Sequence, residues 1–403
     1  MGGLHRRTLI AASLCLPALR AARGATPALK IGVLTDLSGP YSGIAGKGSI
    51  ACTRQAVREA VQAGLPGAEV VSADHHNDPK AGAAIARGWY ANGVDLIVDV
   101  PNSEVALAVA EVACAANKTF IDCGAGTTKL TGATCTPNTI HWSYDTHMLA
   151  RSTGGALVRD GGSTWYFVAP DYAFGAELQA ETAAQVVQAG GRILGDAKYP
   201  FPGTTDFKAV LRQAAQSDAQ VVGLANAGAD VIACVSQAHA LGISDETRVA
   251  CLLMQLPDVH LLGLEVAQGL MLTESFYWDL NDRTRAFTQR LMDAEAPPTY
   301  PDMIQAGCYA GTLHFLKAAA ALGVARARQD GAALVAKMKA MPTDDDAFGP
   351  ATIRRDGRVM VPAILFRVKS PDESTGPWDY YTEVSATPAD DAFGPLAGEF
   401  KKS

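Results

Sequence analysis

Short apolar stretches alternate along this chain with longer stretches of helical periodicity, and small polar residues stand at most of the junctions. Lys30 to Ser49 contains one full unit. Ile31, Val33 and Leu34 form a run suited to a parallel strand covered on both faces, where strict alternation with polar residues is not required. Asp36, Ser38, Gly39, Pro40, Ser42 and Gly43 then break the strand, and Ile50 to Val61 carries an alanine-rich helical pattern. Strands are predicted at Ala68–Ala73, Asp95–Val100 and Thr119–Asp122, with helices over about Lys80–Asn92 and Val105–Ala116. The pattern restarts with a strand at Trp165–Ala169 and a helix at Ala176–Ala189. Strands at Arg192–Tyr199, Gln220–Ala225, Val249–Leu253 and Leu270–Phe276 continue it. Helical periodicity resumes from Phe276 and continues through Cys308–Ala321 and Ala332–Met341. Thr352–Ile353, Ala363–Lys369 and Trp378–Val384 read as short edge strands separated by Gly and Pro.

This order predicts an α/β protein of two lobes of similar size, since 403 residues exceed one ordinary core and the strand–helix series begins twice. In open parallel sheets ligands sit outside the carboxyl ends of the strands, which makes the polar turns the candidate site. Asn102 and Ser103, and the run Gly124–Thr128 with Gly126 and Thr127, have the composition that lets backbone N–H groups and hydroxyls face a small anion. Ser103 and Thr127 equally suit ordinary helix capping. Asn226 opens a third polar turn. Tyr41, Tyr172, Phe174 and Tyr277 fall in or just after turns, where they offer apolar walls with hydroxyl handles or else pack at the lobe surface. The segment GIAGKGS is no phosphate loop: Tyr41 stands where the first glycine belongs, and Gly48 follows Lys47 in place of a hydroxyl residue. His75, His76 and Asp78 lack a third ligand at helical spacing, so no metal is expected there.

Charge and cysteine content narrow the setting. Arg6 and Arg7 precede an apolar run, Leu9–Leu19, too short to span a bilayer, and Ala22-Arg23-Gly24 supplies small residues at the positions a signal peptidase reads. Residues 1–24 are therefore expected to be a cleaved signal peptide of a protein exported to the periplasm. The mature chain keeps 30 basic against 41 acidic residues, a net charge of −11 that argues against nucleic acid and anionic lipid as partners. Seven cysteines remain, an odd number. Cys123 and Cys135 flank a loop that a disulfide bridge would close in an oxidising compartment.

Taken together, Lys30 to Tyr41, Asn102-Ser103, GAGTTKLTG, the DYAFG turn, GLANAGAD, AQGLMLTESFYWDLND and FGPATIRRDGR resemble the periplasmic leucine/isoleucine/valine-binding protein family. The likeness extends to a branch whose ligands are branched-chain amino acids, amides or aromatic acids. The resemblance covers nearly all of the mature chain. It implies the type I periplasmic-binding-protein fold: two Rossmann-like lobes with parallel sheets, joined by three crossover strands, with the ligand in the cleft. Carried onto this sequence, residues 27–144 and 277–347 would form the first lobe, and residues 145–276 and 348–398 the second. The resemblance also implies that Asn102-Ser103 and Thr127 hold a ligand carboxylate. Matching Thr127 needs one gap, without which Gly126 falls in that place. Amino-acid binders of the family carry a carboxylate for the α-ammonium in the loop here spanning Met254–His260. Only Asp258 is available there, and it is placed equally well to cap the following helix.

The function expected from this is capture of a small carboxylate-bearing solute, a branched-chain or other amino acid, by hinge closure and its delivery to the permease and ATPase subunits of an ABC importer. The protein is expected to act as a monomer without a cofactor. Aromatic or short aliphatic acids or amides are the alternative ligands, and a ligand sensor feeding a signalling partner is the alternative role. No nucleophile elbow, His-Glu-x-x-His or dinucleotide fingerprint points to an enzyme.

Overall fold

The computed structural model describes residues 29–294 and 300–396. The expected signal peptide, residues 1–24, residues 27–28 and 295–299 of the expected first lobe and residues 397–398 of the expected second lobe lie outside the described residues.

The first sheet is built from β1 (Leu29–Thr35), β2 (Ala68–Asp74), β3 (Leu96–Asp99), β4 (Thr119–Asp122) and β5 (Thr139–His141), all parallel in the order β2-β1-β3-β4-β5. The second uses β6 (Thr164–Pro170), β7 (Arg192–Tyr199), β8 (Val221–Leu224) and β9 (Arg248–Cys251) in the order β7-β6-β8-β9, again parallel. The interior strands β3, β4 and β8 are buried throughout, as their unbroken apolar character requires. Both sheets reverse direction of strand order beside their first strand, between β1 and β3 and between β6 and β8. The crevice at the carboxyl ends of these strands is where the topology places a ligand.

The rest of the chain serves both sheets. β10 (Met271–Glu274) is followed by an antiparallel ribbon of β11 (Thr343–Asp345), β12 (Gly349–Ile353) and β13 (Val359–Met360). β14 (Ala363–Val368) then pairs antiparallel with both β10 and β15 (Tyr381–Thr387), and β10 lies beside β9. The long helix Met303–Leu322 packs along helix Gly46–Gln62 and against β3, so it covers the first sheet although it lies far along the chain. Asp302 caps it, accepting hydrogen bonds from the backbone N–H groups of Ile304 and Gln305 at 2.9 Å. Arg358 is fully buried where the two halves meet. Its guanidinium donates to the Tyr144 carbonyl at 2.8 Å, lies 3.8 Å from Asp145 and covers the Phe393 ring, and its backbone bridges to His141 of β5. Burial pulls its pKa down to about 10.

Three strands escaped the sequence pattern: β5, the acidic β11 and the two-residue β13. The helix expected from Phe276 starts at Asp282, because the Asn281 side chain accepts from the N–H groups of Arg283 and Thr284 and opens the helix there.

Candidate functional site

The turns that leave β1, β3, β4, β6, β8 and β9 converge on one narrow space of about 10 Å³. Tyr41, Ile44, Pro101, Ser103, Gly124, Gly126 and Tyr144 line it from the first sheet, and Tyr172, Phe174, Ala227 and Leu253 from the second. That is room for about one water, far below the roughly 300–1,000 Å³ of common small-molecule sites, so a solute needs the two sides to part before it can enter.

The turn after β3 is the most constrained part of the wall. Asp99 and Val100 both have left-handed backbone, φ 88° and 66°, which is unfavourable for an aspartate and more so for a β-branched valine. The distortion turns the chain so that Pro101 and Ser103 face the space. Asn102 caps helix Ser103–Ala115, its Oδ1 accepting from the N–H groups of Glu104 and Val105, while its Nδ2 donates to Asn77. Asn102 thus orients the helix and does not line the space. Ser103 does, from the first turn of that helix. Its Oγ is buried and has no hydrogen-bond partner among the described residues. A hydroxyl at a helix N-terminus, on the positive end of the peptide dipoles, is suited to an anionic group.

The turn after β4 lies against it. A Cβ on Gly126 would come within 2.9 Å of the Phe174 ring and 3.1 Å of the Tyr144 ring, so only glycine lets these rings approach the backbone. Thr127 is fully buried but turned away from the space. Its Oγ1 donates to Glu177 Oε2 at 2.7 Å, on helix Ala173–Gln188 of the opposite side, and accepts from the Lys129 N–H. Lys129 reaches the other Glu177 oxygen at 2.7 Å. Thr127, Lys129 and Glu177 form a polar clasp across the crevice. A second clasp joins the Pro40 carbonyl to the Ala229 N–H at 2.8 Å, directly beside Gly228 at φ +61°. A third is aromatic: the Tyr41 and Tyr172 hydroxyls are hydrogen-bonded, and Phe201 stacks on Tyr172 at 4.4 Å and lies 5.5 Å from Tyr41.

The remaining predicted residues go elsewhere. Asp258 is 1 % exposed and belongs to a capping box: its Oδ2 accepts from the Gln255 N–H at 3.0 Å, and burial pushes its carboxyl up to about 7. Asn226 is buried next to Ala227, its Nδ2 directed at Cys234 Sγ. Tyr277 packs in the second core against Phe366 and Tyr381, and its hydroxyl donates to the Trp378 carbonyl. Ser38 and Ser42 bond to Asp74 and to the Gly39 carbonyl. Cys123 and Cys135 are free thiols: Cys135 donates to the Asp356 carbonyl, and Cys123 faces Cys308 instead. His76 pairs with Asp74, and His75 Nδ1 accepts from the Asn77 N–H, so the two imidazoles do not converge.

Sequence reasoning missed Tyr144, which walls the space, and Asp230, in the first turn of helix Ala229–Ala240. Asp230 accepts from the Tyr199 hydroxyl at 2.9 Å, and its charge reaches Tyr41 and Tyr172. Burial pushes its carboxyl up to about 6. An acid beside a turn that already contained asparagine and glycine carries no sequence signal separating it from a helix-terminal residue.

A family model described as periplasmic binding protein matches residues 28–376. The crystal structure of a periplasmic binding protein from Burkholderia mallei is 40% identical and covers 91% of this chain and 96% of its own, with a TM-score of 0.86. A branched chain amino acid ABC transporter periplasmic ligand-binding protein from Burkholderia xenovorans is 34% identical, covering 91% of this chain and 97% of its own at a TM-score of 0.78. A solute binding protein of an ABC transporter from R. palustris, in complex with benzoate, shares the fold at 20% identity and a TM-score of 0.78, covering 92% of this chain and 98% of its own. No curated protein matches the chain. No helix among the described residues is long and apolar enough to cross a membrane. The paired parallel sheets, the crevice at their switch points and a match over most of the chain place this protein in the type I periplasmic binding protein family, the solute-binding components of ABC transporters.

Proposed function

We propose that this protein captures a small monocarboxylate with a flat apolar body, an aromatic or short aliphatic acid, and presents it to the permease of an ABC importer. The observation that carries this reading is the buried, unpartnered Ser103 Oγ at a helix N-terminus, in a space walled by Tyr41, Tyr144, Tyr172 and Phe174 and lined by no charged side chain. A carboxylate gains the hydroxyl and the helix dipole, and the rings take the apolar body. Asp258, the ammonium partner the family pattern would use, is committed to its capping box. An α-ammonium brought here would be buried without a direct counter-charge in the lining, at a cost of several kcal/mol on the order usual for a buried unpaired ion.

In this reading residues 27–144 with 277–347 and residues 145–276 with 348–398 move as two bodies, and the three clasps form as they close. The chain acts as a non-catalytic monomer in the periplasm after removal of residues 1–24. A second reading, an α-amino acid, is favoured by Asp230, a buried carboxylate near Tyr41 and Tyr172 that would take an ammonium, and by the name of the Burkholderia xenovorans relative.

A thermal-shift screen of aromatic and aliphatic acids against amino acids separates the two. A ligand at a hundred times its Kd stabilises by about 2.7 kcal/mol. Stabilisation by benzoate-like or short aliphatic acids and none by leucine or valine is expected. The reverse pattern would replace this reading with the second.

A further inference from the structure

Cys123 is the residue directly after β4 and directly before Gly124, where the site turn begins. Its thiol is fully buried and faces the equally buried thiol of Cys308 on helix Met303–Leu322. The fit between strand end and helix is close: a Cβ built on Gly307 would lie 2.2 Å from Ser143 Oγ, 3.3 Å from Cys123 Cβ and 3.5 Å from its Sγ. Glycine at 307 thus lets the helix backbone close on both Ser143 and Cys123. Asp99 and Ser49 complete the surroundings of the Cys308 thiol. Cys135, the next cysteine after Cys123 along the chain, is occupied by the Asp356 carbonyl.

We propose that Cys123 and Cys308 are a disulfide-forming pair whose bond pins the Gly124–Gly126 turn of the ligand site to helix Met303–Leu322. Its occurrence in the cell rests on the export reading, because such bonds persist in oxidising compartments. The reaction belongs to folding, before the two thiols are covered. One thiolate attacks the disulfide of an oxidised thiol–disulfide exchange partner, forms a mixed disulfide and releases one partner thiolate. The second cysteine thiolate attacks the mixed bond and releases the other. Two protons and two electrons leave the protein, and the partner disulfide becomes two thiols. Burial raises both cysteine pKa values, which agrees with a pair inert to exchange once the fold has closed. The bond lies outside the ligand space, so it acts by holding the turn that presents Gly126, and ligand affinity becomes dependent on the redox history of the chain.

The test uses the full chain, reduced, unfolded and refolded in a glutathione redox buffer, so the outcome is independent of where the protein resides. Acid trapping, alkylation and non-reducing digestion with mass spectrometry then report the pairing. A linked peptide pair containing Cys123 and Cys308, lost on reduction before digestion, is expected. Cys123→Ser and Cys308→Ser should each abolish it and lower the Tm relative to the oxidised wild type, while Cys135→Ser should leave the link and the Tm unchanged. Recovery of both Cys123 and Cys308 alkylated, or of Cys123 linked to a different cysteine, overturns the proposal. The link in refolded chain combined with its absence from chain isolated from the exported fraction supports the pair and contradicts the export reading instead.

Discussion

Gly228 is the position at which one methyl group tests closure. It follows Ala227 of the ligand space on the second side, and a Cβ there would lie 2.3 Å from the Pro40 carbonyl oxygen of the first side. Ordinary contact begins at 3.4 Å, so in Gly228→Ala the two turns must part by about 1 Å. That stretches the 2.8 Å hydrogen bond from the Ala229 N–H to the Pro40 carbonyl beyond bonding range. The lost bond costs about 0.5–1.5 kcal/mol, and loosening of the Tyr41, Tyr172 and Phe201 contacts brings the closed form to a disadvantage of roughly 1–2 kcal/mol. Ligand affinity should fall about 5- to 30-fold, because the binding-competent population falls by the same factor. The backbone of Gly228, φ +61° and ψ −135°, lies in a region nearly reserved for glycine and is a separate cost of about 1–3 kcal/mol for alanine. It is paid whether the crevice is open or closed, so it appears in the Tm and not in the affinity. Calorimetric titration with the acid found by screening measures the first effect, and thermal unfolding without ligand measures the second. A variant with lowered Tm and wild-type affinity would show that the Pro40–Ala229 contact does not accompany binding.

Three further substitutions separate binding roles from structural ones. Ser103→Ala should weaken binding of the acid by about 1–3 kcal/mol, the range for a hydrogen bond to a charged group, with little change in Tm; equal affinity by calorimetry would leave Ser103 as a plain helix residue. Asp258→Ala should lower stability by about 1 kcal/mol through loss of the capping box while leaving affinity for acids unchanged, whereas lost binding of an amino acid would revive the ammonium role. Asp230 is raised from 3.8 to about 6, so between those values the folded chain holds more protons than the unfolded one and stability falls as pH rises from about 4 to about 6. Asp230→Asn should remove that slope and melt higher at pH 7, and an unchanged Tm–pH profile would contradict the assignment of the shift to Asp230.

The strand–turn–helix grammar was legible because a buried parallel strand and an amphipathic helix leave different apolar periods. β4 at Thr119–Asp122 and β7 at Arg192–Tyr199 match the sequence reading residue for residue. β5 and β11 were not legible, since each is three residues long and owes its existence to a neighbouring strand: Phe120, Ile121 and Asp122 pair β5, and β12 pairs β11. In the site, Tyr41, Ser103, Gly126, Tyr172 and Phe174 line the space from strand-end turns or the helix starts just after them, where the topology directed attention. What separated Ser103 from Asn102, or Gly126 from Thr127, was a partner distant in sequence. Asn102 faces its own helix N-terminus, and Thr127 is taken by Glu177, fifty positions later. The same limit applies to the thiols: proximity in sequence suggested Cys135 for Cys123, and the packing of helix Met303–Leu322 brings Cys308 there instead.

The most direct test of carboxylate capture at Ser103 is a crystal structure of the protein with the acid that stabilises it best. A carboxylate within hydrogen-bond distance of Ser103 Oγ at the start of helix Ser103–Ala115, with the apolar body between Tyr41, Tyr144, Tyr172 and Phe174, is expected. A ligand whose charged end is held at Asp230 or Asp258, or one bound outside the space between the two sheets, would contradict it.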